Sequence, residues 1–285
     1  MFVITGATGH TGSVAAETLL RAGKKVRVVV RDAAKAERLK ALGAEVFVAD
    51  LTDQGALARA VRGAEGVFLI SPPDLTAGDF IAQRKRLTQQ QVETLAAAQV
   101  PHVVFLSSIG AQHAAGTGPI LSAHHAEQQL RAAGLPATFV RAAYFVENWG
   151  AVVQAVKGDG VLPTFIAAGT RIAMVSTVDI GATVAQALLA GPRGVRVIEL
   201  AGPNEASPNE VAAAFSRILG KPVQVVEAPL DALVPTFTSF GMSSNIAGLF
   251  RELYEAVAKG KLAPEAGEQV RGTTPLEATL RQLLG

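Results

Sequence analysis

Cysteine is absent from the 285 residues. This excludes disulfides, thiolate catalysis and thiolate metal sites. Histidine is scarce: the five are His10, His102, His113, His124 and His125, and none sits in a His-Glu-x-x-His pattern. No metal site is expected on that count. Aromatic residues make up 5%, with two tyrosines and one tryptophan, too few for a base-stacking platform. No sign of charge dominates, since 26 Lys plus Arg face 24 Asp plus Glu. A net charge of +2 gives no electrostatic reason to expect nucleic acid. No apolar run approaches the roughly 18 residues that argue a membrane span. The opening Met1-Phe2-Val3-Ile4-Thr5 lacks the basic start of a signal peptide. The expectation is a cytoplasmic protein acting on a small molecule, with a homodimer left open.

What is there is a core. Hydrophobic residues reach 49% against 18% charged, far from a disordered composition. Short β-branched runs recur at Phe2–Thr5, Lys25–Val30, Glu45–Ala49, Gly66–Ile70, His102–Ser107 and Ala137–Arg141. Continuous apolar runs of this length predict strands buried on both faces of a parallel sheet. Helical stretches lie between them, over 11–22, 33–42, 53–61, 80–98 and 122–133. Strict alternation predicts right-handed βαβ units. The expected class is α/β, a doubly wound parallel sheet (Rossmann fold) with a smaller C-terminal α/β lobe over the cleft. Residues 1–150 would form the nucleotide-binding domain, with 176–200 returning to it. Residues 151–175 and 201–285 would form the small lobe. Within the later half, strands are predicted at 161–165, 172–175, 196–200 and 221–227. Helices are predicted at 178–189, 207–219, much of 230–262, and after Thr274-Pro275.

The sharpest motif is Gly6-Ala7-Thr8-Gly9-His10-Thr11-Gly12, directly after a strand and at the mouth of a helix. Gly6 permits the tight turn, Gly9 admits a pyrophosphate, and Gly12 allows close helix–strand contact. The helix start then offers free N–H groups and a positive dipole end to phosphate. Thr8, His10 and Thr11 are read with the glycines as cofactor contacts. At the end of the second strand stands Arg31, where an NAD-preferring fold carries an acid. A guanidinium pairs with a 2′-phosphate in bidentate fashion, which favours NADP(H). Asp32 follows directly and keeps NAD(H) in play. Asp50 and Leu51, after strand three, would border the adenine. Ser71 and Pro72, after strand four, would border the nicotinamide ribose or pyrophosphate, because ligands of open α/β sheets sit at the carboxyl ends of strands.

At these residues the chain resembles the NmrA-like branch of the atypical short-chain dehydrogenase/reductases. The resemblance is carried by Ile4 to Gly12, Val30-Arg31-Asp32, Ala49-Asp50-Leu51, Phe105-Leu106-Ser107-Ser108, Glu127 to Gly134, and Val140 to Asn148. It covers about residues 1–200 well and the rest loosely. It adds Ser107 and Ser108 to the expected cofactor contacts. It implies an NAD(P)H-binding protein closest in look to quinone oxidoreductases. Phenylpropanoid reductases, and regulators that bind NADP without turnover, belong to the same family.

The Tyr-x-x-x-Lys pair of ordinary short-chain dehydrogenases is missing: four residues after Tyr144 and Tyr254 stand Asn148 and Ala258. The lysine of phenylpropanoid reductases is missing too, because Leu121 to Glu127 contains none. His124 or His125 is the substitute proton donor there, since histidine titrates near neutrality; the alternative is two ordinary histidines at a helix start. Tyr144 is the second catalytic candidate. Quinones demand little acid catalysis, because placement against the nicotinamide supplies most of the acceleration. Tyr144, Phe145, Asn148, Trp149 and Phe240 are the expected substrate contacts, with core packing the alternative for Phe145 and Trp149. Phe237, Phe240 and Met242 read as a mobile lid or as plain lobe core. Two functions follow: an NADPH-dependent reductase of quinones or similar small electrophilic carbonyls, or a non-catalytic NADP(H)-binding redox sensor.

Overall fold

The computed structural model describes residues 1–70, 74–265 and 267–285. The first half alternates as its pattern predicts. β1 (Phe2–Thr5), α1 (His10–Arg21), β2 (Val26–Val30), α2 (Glu37–Ala41), β3 (Glu45–Val48), α3 (Gln54–Ala60) and β4 (Gly66–Leu69) follow in order. Then come α4 (Phe80–Ala97), β5 (Val103–Ser108), α5 (Leu121–Ala132) and β6 (Ala137–Ala142). Caps set the helix starts. Asp53 accepts the Ala56 amide at 2.9 Å ahead of α3, and Asp79 accepts that of Ala82 at 3.0 Å ahead of α4.

The second half runs β7 (Tyr144–Phe145), α6 (Val153–Asp159), β8 (Val161–Thr164), β9 (Ile172–Val175), α7 (Thr177–Ala190), β10 (Val195–Ala201) and β11 (Glu205–Ala206). It ends with α8 (Pro208–Leu219), β12 (Gln224–Glu227), α9 (Leu233–Ser239), α10 (Ser244–Ala258), β13 (Glu268–Arg271) and α11 (Leu276–Leu284). Ser207 and Glu210 close a capping box at the head of α8.

Among the described residues, eight strands form one parallel sheet in the order β13-β10-β6-β5-β4-β1-β2-β3. The order of succession across the sheet reverses between β1 and β4, so the ligand crevice of a doubly wound fold lies above that pair. Alternate residues feed two cores. Ile4 and Phe68 pack under α1, α2 and α7, while Val3 and Leu69 pack under α3, α4 and α5. A third core, around Trp149, Leu162, Phe215 and Leu280, joins α6, α8 and α11 to two small sheets, β11-β9-β7 and β12-β8.

Several elements have no counterpart in the sequence pattern. β13 (Glu-Gln-Val-Arg) has no apolar run; pairing with β10 makes it a strand. Residues 146–152 form a 3-10 helix that leads into α6, where the pattern gives no element.

Candidate functional site

The turn after β1 is built from contacts that exclude side chains. Gly6 takes φ +61°, a left-handed backbone that favours glycine, and a Cβ there would meet Ile70 Cγ2 at 2.5 Å. A Cβ on Gly12 would come within 2.4 Å of the Gly6 carbonyl oxygen. Helix α1 and the turn therefore touch backbone to backbone. Gly9 differs, because a Cβ added to it would meet only that carbonyl, at 3.4 Å, and otherwise open space. Thr8, Gly9 and His10 are exposed, Thr11 is buried, and no side chain among the described residues caps the start of α1. The first amides of a twelve-residue helix thus face the crevice. Thr5 bolts the adjacent strand ends together, donating to Phe68 O at 2.9 Å and accepting from Ile70 N at 3.0 Å.

Arg31 is exposed at the carboxyl end of β2. Asp32 is the N-cap of the 3-10 turn at 33–36, accepting the Ala34 amide at 3.0 Å. Asp50 accepts both the amide and the hydroxyl of Thr52 at 2.8 Å. Those bonds, with the Arg31 charge as a smaller contribution, hold its carboxyl below the usual range. Leu51 packs half-buried on the second core. Ser71 and Pro72 lie outside the described residues.

The serines after β5 divide. Ser108 is half-buried and donates to Ile109 O at 3.0 Å. Ser107 is buried and donates to Glu127 at 2.6 Å. Glu127 in turn clamps Arg141 through bonds of 2.9 and 2.7 Å, and Arg141 reaches Glu199 at 3.2 Å. Ser107, Arg141 and Glu199 stand in register across β5, β6 and β10. Sequence reasoning missed this buried network, since charged side chains are by default surface residues.

His124, half-buried in the first turn of α5, bonds Ala111 O through Nδ1 at 2.8 Å. A carbonyl partner requires a proton on Nδ1, so Nε2 is the accepting nitrogen of the neutral ring. His125 stacks edge-on at 5.5 Å, and burial, helped by Lys85 and His124, lowers its pKa. Nearby, Ile70, Arg84, Thr88, Phe105 and Leu106 line a cavity of about 220 Å³ at the carboxyl ends of β4 and β5. Burial pushes the Arg84 guanidinium down to about 10. Sequence reasoning passed Arg84 over, because a helix arginine ordinarily faces water.

The expected substrate residues divide between exposed, half-buried and core positions. Phe145 packs on the first core, and Trp149, 3% exposed, lies in the third. Tyr144 is half-buried, with its ring 6.0 Å from that of Trp149. Asn148 is exposed and interacts with the Tyr144 hydroxyl. Phe240, at the end of α9, is 75% exposed. Met242 packs on Ala77, Phe80 and Ile246. The segment that carries Met242 is pinned to the stretch that leads into α4: Ser243 bonds Leu75 O and Ala77 O, and Asn245 accepts the Phe80 amide. On the far rim Lys261 and Ala263 bond the 112–115 loop.

The NmrA-like family profile matches residues 1–278. The chain belongs to the NmrA-like family. The NAD(P)H azoreductase of Xenophilus azovorans is 29% identical over 266 residues, covering 92% of this chain and 89% of that one. Quinone oxidoreductase 2 of Escherichia coli is also 29% identical, over 92% of this chain and 90% of its own. Among solved structures, the NADPH-dependent quinone oxidoreductase of Escherichia coli complexed with NADPH superimposes with a TM-score of 0.83 at 27% identity, covering all of both chains. The chain therefore has the Rossmann-type α/β fold expected of it. No helix among the described residues is long and apolar enough to cross a membrane.

Proposed function

We propose that this protein is an NADPH-dependent oxidoreductase that reduces quinones or similar small electrophilic acceptors. One observation carries the reading: at the switch point of the sheet a turn built on Gly6, Gly9 and Gly12 delivers the uncapped start of α1 to the crevice. Pyrophosphate fits such a cradle, because amides and dipole both favour an anion. Arg31 suits a 2′-phosphate, and Asp32, engaged as a cap, is poorly placed to replace it as a ribose ligand. The named activities of the quinone and azo reductases support the same reading over a redox sensor.

When bound, the reduced nicotinamide supplies a hydride. The chain's own residues position the reactants. The glycine turn holds the diphosphate, Arg31 holds the adenosine end, and the Tyr144 side of the crevice faces the acceptor. His124 is one candidate proton source, through Nε2 and only in its imidazolium form, because Nδ1–H is engaged by Ala111 O; water is the other. NADPH oxidation followed against a panel of quinones, with NADH alongside, tests the proposal. Multiple turnovers with at least one quinone, and a preference for NADPH, are expected. Tight NADPH binding without turnover of any acceptor would overturn the reductase reading in favour of the sensor.

A further inference from the structure

Tyr254 stands 110 residues from Tyr144 in the chain, yet α10 brings its phenol against that of Tyr144. The two rings belong to one continuous aromatic series. Phe250 meets Phe237 at 5.3 Å, Phe237 meets Phe165 at 5.9 Å, and Phe165 meets Tyr254 at 6.0 Å, each edge to face. On the other side Tyr144 meets Trp149 at 6.0 Å. All three Phe residues and both tyrosines are half-buried. The two hydroxyls, with the buried Trp149 indole N–H, are the polar points in a wall of rings.

Direction matters here. Asn148 and Tyr254 both hydrogen-bond the Tyr144 hydroxyl. In such a pair only one phenol donates to the other, so one of the two protons is left for a ligand, and Asn148 engages the Tyr144 side. Phenols are protonated at neutral pH, and burial pushes both further above their ordinary value. A phenol whose oxygen already accepts a hydrogen bond is a better donor through its own proton.

Resting on the reductase reading above, we propose that Tyr254 donates a hydrogen bond to the acceptor's oxygen, with Tyr144 as the positioning residue that orients and polarises it. The substrate class is a planar aromatic acceptor with a carbonyl on its rim, its ring against the aromatic wall. Hydride arrival oxidises the nicotinamide, reduces the quinone by two electrons, and leaves one acceptor oxygen anionic until water protonates it. A preorganised donor stabilises that charge as it develops.

The test uses Tyr254→Phe and Tyr144→Phe in the full chain, with three readouts. NADPH affinity should stay within about twofold of wild type. kcat/KM for a naphthoquinone should fall roughly a hundred- to a thousandfold in Tyr254→Phe, the range for a lost oxyanion-type donor. Trp149, the only tryptophan, reports binding without turnover. By its quenching, Tyr254→Phe should weaken dihydroxynaphthalene about tenfold and leave dimethoxynaphthalene unchanged, because the ether analogue lacks the hydroxyl that mimics the reduced product. Tyr144→Phe should give a smaller loss of the same kind. Equal affinities of wild type and Tyr254→Phe for dihydroxynaphthalene, with kcat/KM within twofold, would overturn the role of Tyr254 alone. A wild type that turns over no quinone would overturn the reductase reading, and the two naphthalene probes would then decide the Tyr254 assignment by themselves.

Discussion

At the scale of single residues, three positions carry the proposed nucleotide site. Arg31 has no ion-pair partner among the described residues that would hold it against the protein, so its charge is available to a ligand. Arg31→Ala should weaken NADPH roughly ten- to a hundredfold, as losing hydrogen bonds to a charged group worth about 1.5–3 kcal/mol would do. NADH affinity should change little; equal losses in calorimetry would remove the 2′-phosphate assignment. Gly9 and Gly12 differ in kind. A Cβ on Gly12 collides with backbone at 2.4 Å, so Gly12→Ala should lower the melting temperature and cofactor affinity together. A Cβ on Gly9 meets little protein but fills phosphate space, so Gly9→Ala should keep the melting temperature and lose affinity. The reverse pattern would show that the turn has been assigned backwards. The glycine turn was legible because its spacing and the flanking strand and helix are local. Tyr254, Phe165 and Phe237 were not legible as one wall, since nothing in their sequence separation points to contact.

At the scale of elements, the six N-terminal strands were readable as short apolar runs. Five are buried on both faces, while β3, at the sheet edge, is half-buried at best and leaves Val48 58% exposed, against the expectation of burial throughout. β13 was not readable, because its polar sequence takes strand form only beside β10. The amino ends of β5 and β6 hold a further feature that patterning hides. His102 is 1% exposed; its Nε2 lies 3.0 Å from Thr138 Oγ1, and Nδ1 has no partner among the described residues. Burial, with the Arg196 charge as a second cause, pushes its pKa from 6.5 to about 4. Between those values the unfolded chain binds a proton that the folded one refuses, so stability falls as the pH drops from about 6.5 to about 4. The full effect is about 3 kcal/mol at 1.36 kcal/mol per unit. His102→Asn removes the titration. Urea unfolding across pH 5 to 7, above the range of most carboxylates, should show a flatter slope in the variant than in the wild type. Parallel slopes would mean that His102 is protonated without penalty in the fold.

At the scale of the whole molecule, the crevice lies between a rigid sheet and a segment fastened at both rims. Bonds from Ser243 and Asn245 hold it near the start of α4, and bonds from 261–263 hold it to the loop after β5. Helix α10, which carries Tyr254 and Phe250, lies across that loop at Gly118. A Cβ on Gly118 would sit 2.0 Å from Leu249 O and 2.9 Å from Leu249 C, and its φ of +58° already disfavours a side chain. Gly118→Ala must therefore shift α10 outward, while the glycine turn after β1, separated from β5 by the intervening β4, stays in place. If the fastened segment forms the acceptor wall, the quinone KM should rise about tenfold, NADPH affinity should hold within about twofold, and overpacking of about 1–3 kcal/mol should lower the melting temperature by several degrees. Gly169→Ala, where the added Cβ meets nothing within 4 Å, is the silent control. A lowered melting temperature with an unchanged quinone KM would detach α10 from acceptor binding, and the wall would have to be sought on the Arg84 side of the crevice instead.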